Sequence, residues 1–421
     1  MRSKKENAET ANVQRPLWIL LKFIKILFKG IAGLIGLILI VILICLGLLW
    51  LEHNKSVILP SPTGQFAVGR TTYYWIDSAR TDSLAPVRNQ KRELLVWIWY
   101  PADKRGTAKL SEYVSKPWRI AIENYQGILL NKFLKTDLSK VYAHNIGDAN
   151  ISTRIQSYPV IILRSGVGSL ATDYTTLAED LASHGYIVVG VDAPYSAVIV
   201  VFPDGRVVTR PEANDVENMP AEKQNTFVNK LLNLWTADTR FILDKLQKLN
   251  AESASGKFSG RLNLQAVGIM GHSFGGATAA QFCHDDNRCK AGINMDGIPF
   301  GNVVHEGLHQ PFLVMSSDYG AELDSVGASN IQSIYNHFPV NSRLWVKIQG
   351  AQHFNFSDQA LLNDPHIAKF TGMLGPIDGR RGLAIAAGYT RTFFDVYLKN
   401  ASNNLLKNPS SVYPEIQFER K

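Results

Sequence analysis

The hydrophobic residues form one long N-terminal run, followed by a region of short, separated runs. Residues 31–51, IAGLIGLILIVILICLGLLWL, contain no charged residue over 21 positions, which is long enough to cross a bilayer as a helix. Further along, Val- and Ile-rich runs such as YPVIILR, YIVVGVD, LQAVGIMG and PFLVMSS alternate with helix-like stretches. This pattern is typical of an α/β fold with a mostly parallel central sheet and helices on both faces.

The same patterns predict how the chain is organised. RTTYYWID and RELLVWIWYPA alternate polar with β-branched and aromatic residues, which predicts antiparallel strands at the start of the sheet. The predicted segments are a basic cytoplasmic segment (1–30), a transmembrane signal anchor (31–51), a linker (52–65) and a globular α/β domain (66–421) with insertions near 103–157 and 194–235. A long amphipathic helix is predicted over 221–249, and Gly185 is expected to end an earlier helix.

The basic residues are concentrated around the apolar run. Residues 1–55 carry eight Lys and Arg against three Asp and Glu, so most of the net charge of +8 lies there. The rest of the chain therefore shows no nucleic-acid-binding charge pattern. Because seven of the eight basic residues precede the apolar run, the positive-inside rule predicts an N-terminus in the cytoplasm and a domain outside, in a periplasmic or extracellular location. A cleaved signal peptide is the alternative, although no Ala-x-Ala-like site follows the run.

An extracytoplasmic location favours pairing of two cysteines. Cys283 and Cys289 are separated by five residues in FCHDDNRC, and we expect a small-loop disulfide between them. In a cytoplasmic domain they would instead be free thiols. The sequence contains no HExxH motif and no Cys/His ligand cluster, so we predict no metal site and no cofactor.

The stretch LQAVGIMGHSFGGATAAQF has the spacing of a nucleophile elbow. Gly271-His272-Ser273-Phe274-Gly275 follows a predicted strand and precedes small residues that predict a helix. In that context, G-x-S-x-G places a serine on a sharp turn with its oxygen above the sheet edge. A structural glycine turn is the alternative.

A serine nucleophile needs a base, and the base needs an acid that orients it. His353, in IQGAQHFNFSD, follows a predicted strand and comes after the serine, as in α/β-hydrolases. Two acids end strands at the same sheet edge: Asp296 in INMDG and Asp318 in LVMSSD. The residues alone do not distinguish between these two acids.

Three motifs, GHSFGGATA, INMDG and GAQH followed by FNFSD, resemble the secreted platelet-activating-factor acetylhydrolase family, the group VII phospholipases A2 of the α/β-hydrolase superfamily. The resemblance extends over about residues 60–400. It implies that Asp296 is the acid and that the backbone N–H groups of Phe274 and Val167 form the oxyanion hole. The segment Arg164-Ser165-Gly166 departs from the family's usual Ser-His-Gly.

The resemblance implies an ester hydrolase that works through Ser273, His353 and Asp296 without a cofactor. Its expected substrates are short or oxidised acyl esters of phospholipids, hydrolysed without calcium at a membrane. A general carboxylesterase or polyester hydrolase of the same fold is an alternative. A membrane-tethered, non-catalytic binding protein is an alternative of another class, disfavoured because every triad position is present. The sequence specifies no oligomeric state.

Overall fold

The structure is a computed structural model that describes residues 2–103, 110–253, 256–318, 325–339, 343–402 and 404–419. The chain divides into two compact units, residues 1–54 and 55–421.

The first unit is a single helix, α1 (Arg2–His53). Its segment Trp18–His53 reaches a mean hydropathy of 3.2 and is long and apolar enough to cross a membrane. The predicted apolar N-terminal helix is therefore confirmed. A signal sequence can have the same length and composition, so length and hydropathy do not decide between an anchor and a cleaved leader.

The second unit alternates strands with helices. Its strands are β1 (Val57–Ile58), β2 (Ala67–Thr81), β3 (Lys91–Ala102), β4 (Ser111–Glu112), β5 (Val141–Ala143), β6 (Asn145–Gly147), β7 (Tyr158–Arg164), β8 (Ile187–Asp192), β9 (Ile199–Val201), β10 (Val207–Thr209), β11 (Leu262–His272), β12 (Cys289–Met295), β13 (Phe312–Ser316), β14 (Arg343–Ile348) and β15 (Ile416–Phe418). Its helices are α2 (Lys116–Leu129), α3 (Thr175–Ser183), α4 (Ala221–Asn250), α5 (Phe274–Asp285), α6 (Val303–Glu306), α7 (Ser325–Asn336), α8 (Gln359–Leu362), α9 (Pro365–Phe370) and α10 (Gly379–Lys399).

Ten of the described strands form one mixed sheet, in the order β15-β14-β13-β12-β11-β7-β8-β3-β2-β6. The six strands from β14 to β8 are parallel to one another. Strand β15 pairs antiparallel at one edge, and β3 and β2 continue the sheet antiparallel beyond β8. The predicted mostly parallel sheet with antiparallel opening strands is confirmed.

Strand β7 shows why the central strands are apolar throughout. All seven of its residues are buried. Ile161 and Leu163 belong to the hydrophobic cluster that includes α3 and α10 side chains, whereas Val160 and Ile162 belong to the cluster that includes α4 and α5 side chains. Successive side chains of a strand point to opposite faces, so helices cover both faces of the sheet.

The two predicted insertions contain regular structure. The first holds strands β4 to β6 and helix α2. Pro117 is the second residue of this helix, where a backbone N–H would have no intrahelical acceptor, so its absence costs no hydrogen bond. The second holds the antiparallel β9–β10 ribbon and the first half of α4. The helix predicted over 221–249 is observed as α4, and Gly185, with a φ of 88°, follows α3 as expected.

A disulfide joins Cys283 of α5 to Cys289 of β12, with a Cα–Cα distance of 5.1 Å. It therefore links the helix that follows Ser273 to the strand that precedes Asp296. The sheet and this bridge fix the relative positions of the two segments that form the candidate site.

Candidate active site

Ser273 is the single residue between strand β11 and helix α5, and it has a φ of 56° and a ψ of −127°. A positive φ is strained for a residue other than glycine and persists only where the surroundings enforce it. The Ser273 N–H donates to the Met295 carbonyl at 2.8 Å, which extends the parallel pairing beyond the strand end. At Gly275, a Cβ atom would collide with the Arg164 carbonyl oxygen. The serine therefore lies on a sharp strand-to-helix turn that packs against the end of β7.

Asp296 occupies the equivalent position at the end of the neighbouring strand, β12, and has a φ of 57°. Its Oδ1 accepts a hydrogen bond of 2.7 Å from the Ser317 N–H, and its Oδ2 lies 2.7 Å from Nδ1 of His353. The side chain is fully buried. Donors on both oxygens offset the cost of burying a carboxylate.

His353 begins a short 3₁₀ turn, His353–Phe356, just after strand β14. Its side chain is 31% exposed, so the ring is buried against Asp296 on one side and accessible from solvent on another. Asp318, the other acid considered from the sequence, instead contacts the backbone just before His353. Its Oδ2 accepts from the Gly350 N–H at 3.2 Å, and its own N–H donates to the Ala351 carbonyl at 2.9 Å. The structure thus brings Asp296 to the His353 ring and Asp318 to the loop before it.

His272 is a site residue for which the sequence analysis predicted no role beyond its place in the G-x-S-x-G motif. It is buried, and its two ring nitrogens lie 2.8 Å from the Tyr174 hydroxyl and 2.8 Å from the His353 carbonyl oxygen. Burial and the nearby His353 lower the pKa of His272 to about 3. Its place between Gly271 and Ser273 was the only available signal, because its partner Tyr174 lies 98 positions earlier.

Among the described residues, one group could offer three ligand atoms to a metal ion: His272, Asp296 and His353, whose ligand atoms lie within 4.8 Å of one another. Both nitrogens of His272 are occupied by Tyr174 and the His353 carbonyl, and Nδ1 of His353 is occupied by Asp296. These donors are already used in a hydrogen-bond network, so the group does not fit a metal site.

Val167 lies in the loop after β7, and this loop contacts the serine. A Cβ atom placed on Gly166 would lie 3.1 Å from Cβ of Ser273. The next N–H in the loop, that of Gly168, donates to the Ser196 carbonyl at 3.1 Å, whereas no described residue accepts from the Val167 N–H. Phe274 is the first residue of α5, where backbone N–H groups have no intrahelical acceptor. Both N–H groups are therefore available beside the serine.

Behind this loop lies a buried cation that the sequence did not predict. The Arg164 guanidinium is fully buried and lies 4.5 Å from the ring centroid of Trp235. The Trp235 ring in turn lies 5.2 Å from the Phe274 ring, centroid to centroid. Val167 and Phe274 both pack against the apolar cluster that contains Trp235. One aromatic residue therefore supports both candidate oxyanion segments.

A cavity of about 240 Å³ adjoins the loop that carries Val167. Its lining includes residues from the loop after β7, the segment after His353, and helix α2: Gly168, Leu170, Gln359, Leu362, Ile122 and Tyr125. Tyr125 of helix α2 is an aromatic side chain in this lining. Trp118 and Phe202 line a different cavity of about 470 Å³.

Comparison with known proteins identifies the family. Residues 51–408 match the family model described as platelet-activating factor acetylhydrolase, isoform II. The probable 1-alkyl-2-acetylglycerophosphocholine esterase of Arthroderma benhamiae is 25% identical over 396 residues, which cover 86% of this chain and 94% of that protein. The platelet-activating factor acetylhydrolase of Cavia porcellus is 24% identical over 381 residues, covering 83% and 82% of the two chains.

A solved structure gives the same result for the fold. The ferulic acid esterase from Streptomyces cinnamoneus superposes with a TM-score of 0.72 at 27% identity, covering 87% of this chain and 100% of that one. The resemblance first noted in the motifs is confirmed by the family match, which covers most of the chain. This chain is a carboxylic ester hydrolase with an α/β-hydrolase fold, and it belongs to the platelet-activating factor acetylhydrolase, isoform II, family.

Proposed function

We propose that this protein hydrolyses esters through an acyl-enzyme, with Ser273 as nucleophile, His353 as base and Asp296 as the acid that orients the base. The observation that carries the proposal is the 2.7 Å contact between Nδ1 of His353 and the buried Asp296 carboxylate, at the strand end beside Ser273. A carboxylate on Nδ1 fixes the tautomer in which Nε2 carries no hydrogen and acts as the base.

The reaction proceeds in two halves. His353 takes the Ser273 proton as the serine oxygen attacks the ester carbonyl, and the N–H groups of Val167 and Phe274 stabilise the oxyanion. The protonated His353 gives its proton to the departing alcohol, leaving the acyl group on Ser273. Water then attacks the acyl-enzyme with His353 again as base, which releases the acid and restores the serine.

Ser273→Ala tests the nucleophile. Full-length protein in mild detergent should hydrolyse p-nitrophenyl butyrate, and the variant should lose on the order of 10³–10⁶-fold in kcat, because nothing else in the site forms the acyl-enzyme. Ser333→Ala, which removes a hydroxyl that bonds the Val304 carbonyl on helix α6, is the matched control. A Ser273→Ala protein as active as the parent would exclude this serine as nucleophile.

For the substrate, we propose short or oxidised acyl esters of phospholipids, hydrolysed without calcium. The names of the relatives support the phospholipid class. The cavity of about 240 Å³ beside the Val167 loop supports a short acyl group, because pockets for larger ligands usually exceed about 300 Å³.

An acyl-length series on soluble esters and on sn-2 phospholipids, each with and without EGTA, tests both parts. We expect kcat/KM to be highest for acetyl to butyryl groups, to fall for long chains, and to be insensitive to EGTA. Preference for long soluble esters with no phospholipid turnover would favour the second candidate, a general carboxylesterase or polyester hydrolase. The similarity to the ferulic acid esterase supports that candidate.

We also propose that α1 anchors the protein in a membrane, with its N-terminus in the cytoplasm and the catalytic domain outside. The support is the apolar segment Trp18–His53 and the seven Lys and Arg residues that precede the uncharged run. Alkaline carbonate should leave the protein in the membrane pellet, and protease added to intact cells should degrade the domain. A mature N-terminus beyond residue 51 would instead identify a cleaved signal sequence.

A further inference from the structure

His272 lies between the nucleophile strand and the His353 loop, and its hydrogen bonds define its protonation. Nε2 is 2.8 Å from the His353 carbonyl oxygen, which can only accept, so Nε2 carries the hydrogen. Nδ1 is 2.8 Å from the Tyr174 hydroxyl, which therefore donates to it if the imidazole is neutral.

The surroundings of the ring favour the neutral form. The titratable groups that face His272 are Tyr174, His353 and Asp296. Burial is the largest contribution to its lowered pKa, and the neighbouring His353 contributes in the same direction against the attraction of Asp296. The two imidazole rings lie only 4.4 Å apart, centroid to centroid. A charged His272 would oppose the protonation that His353 must undergo in the proposed reaction.

The contact to His353 is made through the main chain and not through the ring. Asp296 fixes the ring at Nδ1, while His272 fixes the backbone from which that ring extends. Asp318 fixes the same loop three residues earlier, at Gly350. The base is therefore held at the ring, at its own carbonyl and at the start of its loop.

We propose that His272 is a positioning residue, which holds the main chain of His353 through its Nε2–H while Tyr174 fixes the tautomer that makes this donation possible. This inference rests on the proposed role of His353 as base. It assigns a function to the variable position of the G-x-S-x-G motif, which the motif itself leaves open. Packing alone would be the other role, since the His272 ring also stacks on Phe356 at 6.0 Å.

Three variants separate hydrogen bonding from packing. His272→Leu keeps an apolar body but removes the donor, and we expect kcat to fall about 10- to 100-fold with KM changed less than about threefold, since a misplaced base slows chemistry and not binding. His272→Gln keeps an N–H donor and should recover most of that loss. Tyr174→Phe removes a hydroxyl that contacts His272 and also the Gly166 N–H and the Ser169 side chain, so it should lower kcat about tenfold in the parent and clearly less in the His272→Gln background.

The pH profile tests whether His272 itself titrates during catalysis. Replacing a neutral His272 with Gln removes no titrating group, so the acid limb of kcat/KM should not move in His272→Gln. Labelling by a fluorophosphonate probe counts the sites with a reactive serine, so kcat is expressed per labelled site and misfolded protein is removed from the comparison.

The outcomes are distinct. A His272→Leu protein with parental kcat per labelled site, or equal losses from Tyr174→Phe in both backgrounds, would overturn the positioning role. An acid limb that shifts in His272→Gln would show that His272 itself titrates, which also contradicts it. If Ser273→Ala retains activity or the probe labels another residue, the proposed catalytic serine fails first, independently of His272.

Discussion

The loop that carries His353 and the loop that carries Val167 meet at the same sheet edge but are held by different interactions. The His353 loop is held by directional hydrogen bonds: Asp296 and Asp318 accept from the loop, and His272 donates to it. The Val167 loop follows Arg164, whose guanidinium lies over the Trp235 ring. The first loop therefore depends on particular side-chain donors and acceptors, whereas the second combines backbone hydrogen bonds, such as that from Gly168 to Ser196, with packing on an aromatic face.

Two buried arginines show the same difference between support by hydrogen-bonded partners and support by an aromatic ring. Arg92 is fully buried and pairs with Asp82 at 2.7 Å and with Asp238 at 2.7 Å. Arg164 is buried to the same extent, yet its Nε and Nη1 have no hydrogen-bond partner within the described part of the chain. Burial lowers the pKa of Arg164 to about 10, against the opposing attraction of Asp238. Removing one partner of a buried ion pair destabilises the fold because the other charge is left unpaired, whereas a buried charge that has no partner already destabilises the fold.

The largest expected effect on activity concerns the two acids that contact the His353 loop, Asp296 and Asp318. Asp296→Asn should lower kcat by about 10³–10⁴-fold, because an amide at this position favours the wrong tautomer of His353. Asp318→Asn should cost less than about tenfold, since its side-chain oxygen still accepts from the Gly350 N–H. Steady-state kinetics at pH 7.5 with p-nitrophenyl butyrate measures both. Equal losses in the two variants would mean that the loop contact matters as much as the ring contact.

The next effect compares the two arginines in the stability of the fold. Arg92→Met should lower the free energy of unfolding by about 3–5 kcal/mol, because it leaves Asp82 buried without its cation and Asp238 with only Arg80, at 3.0 Å. Arg164→Met should be no worse than about 1 kcal/mol below the parent, because the lost cation–π contact is offset by removal of an unpaired buried charge. Urea unfolding followed by tryptophan fluorescence gives both values. A loss of 3 kcal/mol or more at Arg164 would contradict the contrast and indicate partners for this guanidinium in solution.

The contrast also explains which features the sequence could predict. Strand β7 is buried on both faces, so its residues form the continuous apolar run YPVIILR, and that run predicted a buried strand. Ser273 and His353 could be placed because their spacing and chain order belong to a motif. Asp296 and Asp318 could not be separated by residue pattern, since each follows a strand at the same edge and only the folded positions bring one to the ring and the other to Gly350.

Other features depend on contacts between distant parts of the chain. Arg164 ends an apolar strand, where a charged residue ordinarily marks the surface, and its burial requires Trp235 from helix α4. Helix α2 lies in a segment without clear periodicity, although Trp118 and Ile122 pack into the core. The role of His272 depends on Tyr174, which precedes it by 98 residues and belongs to no motif.

The smallest expected effect is the contribution of His272 to the pH dependence of the free energy of unfolding. Burial lowers the pKa of His272 from its ordinary value of 6.5 to about 3 in the folded chain, so below pH 6.5 the unfolded chain binds a proton that the folded chain does not. The stability contributed by neutral His272 is therefore present above pH 6.5 and is lost as pH falls, by up to about 1.4 kcal/mol per pH unit. His272→Gln removes this term, so its deficit relative to the parent should shrink between pH 7 and pH 5, as measured by urea unfolding. Parallel stability curves for the two proteins would show that His272 takes up its proton over the same pH range in the folded and unfolded chains, and the fold would then not hold it as the neutral donor to the His353 loop.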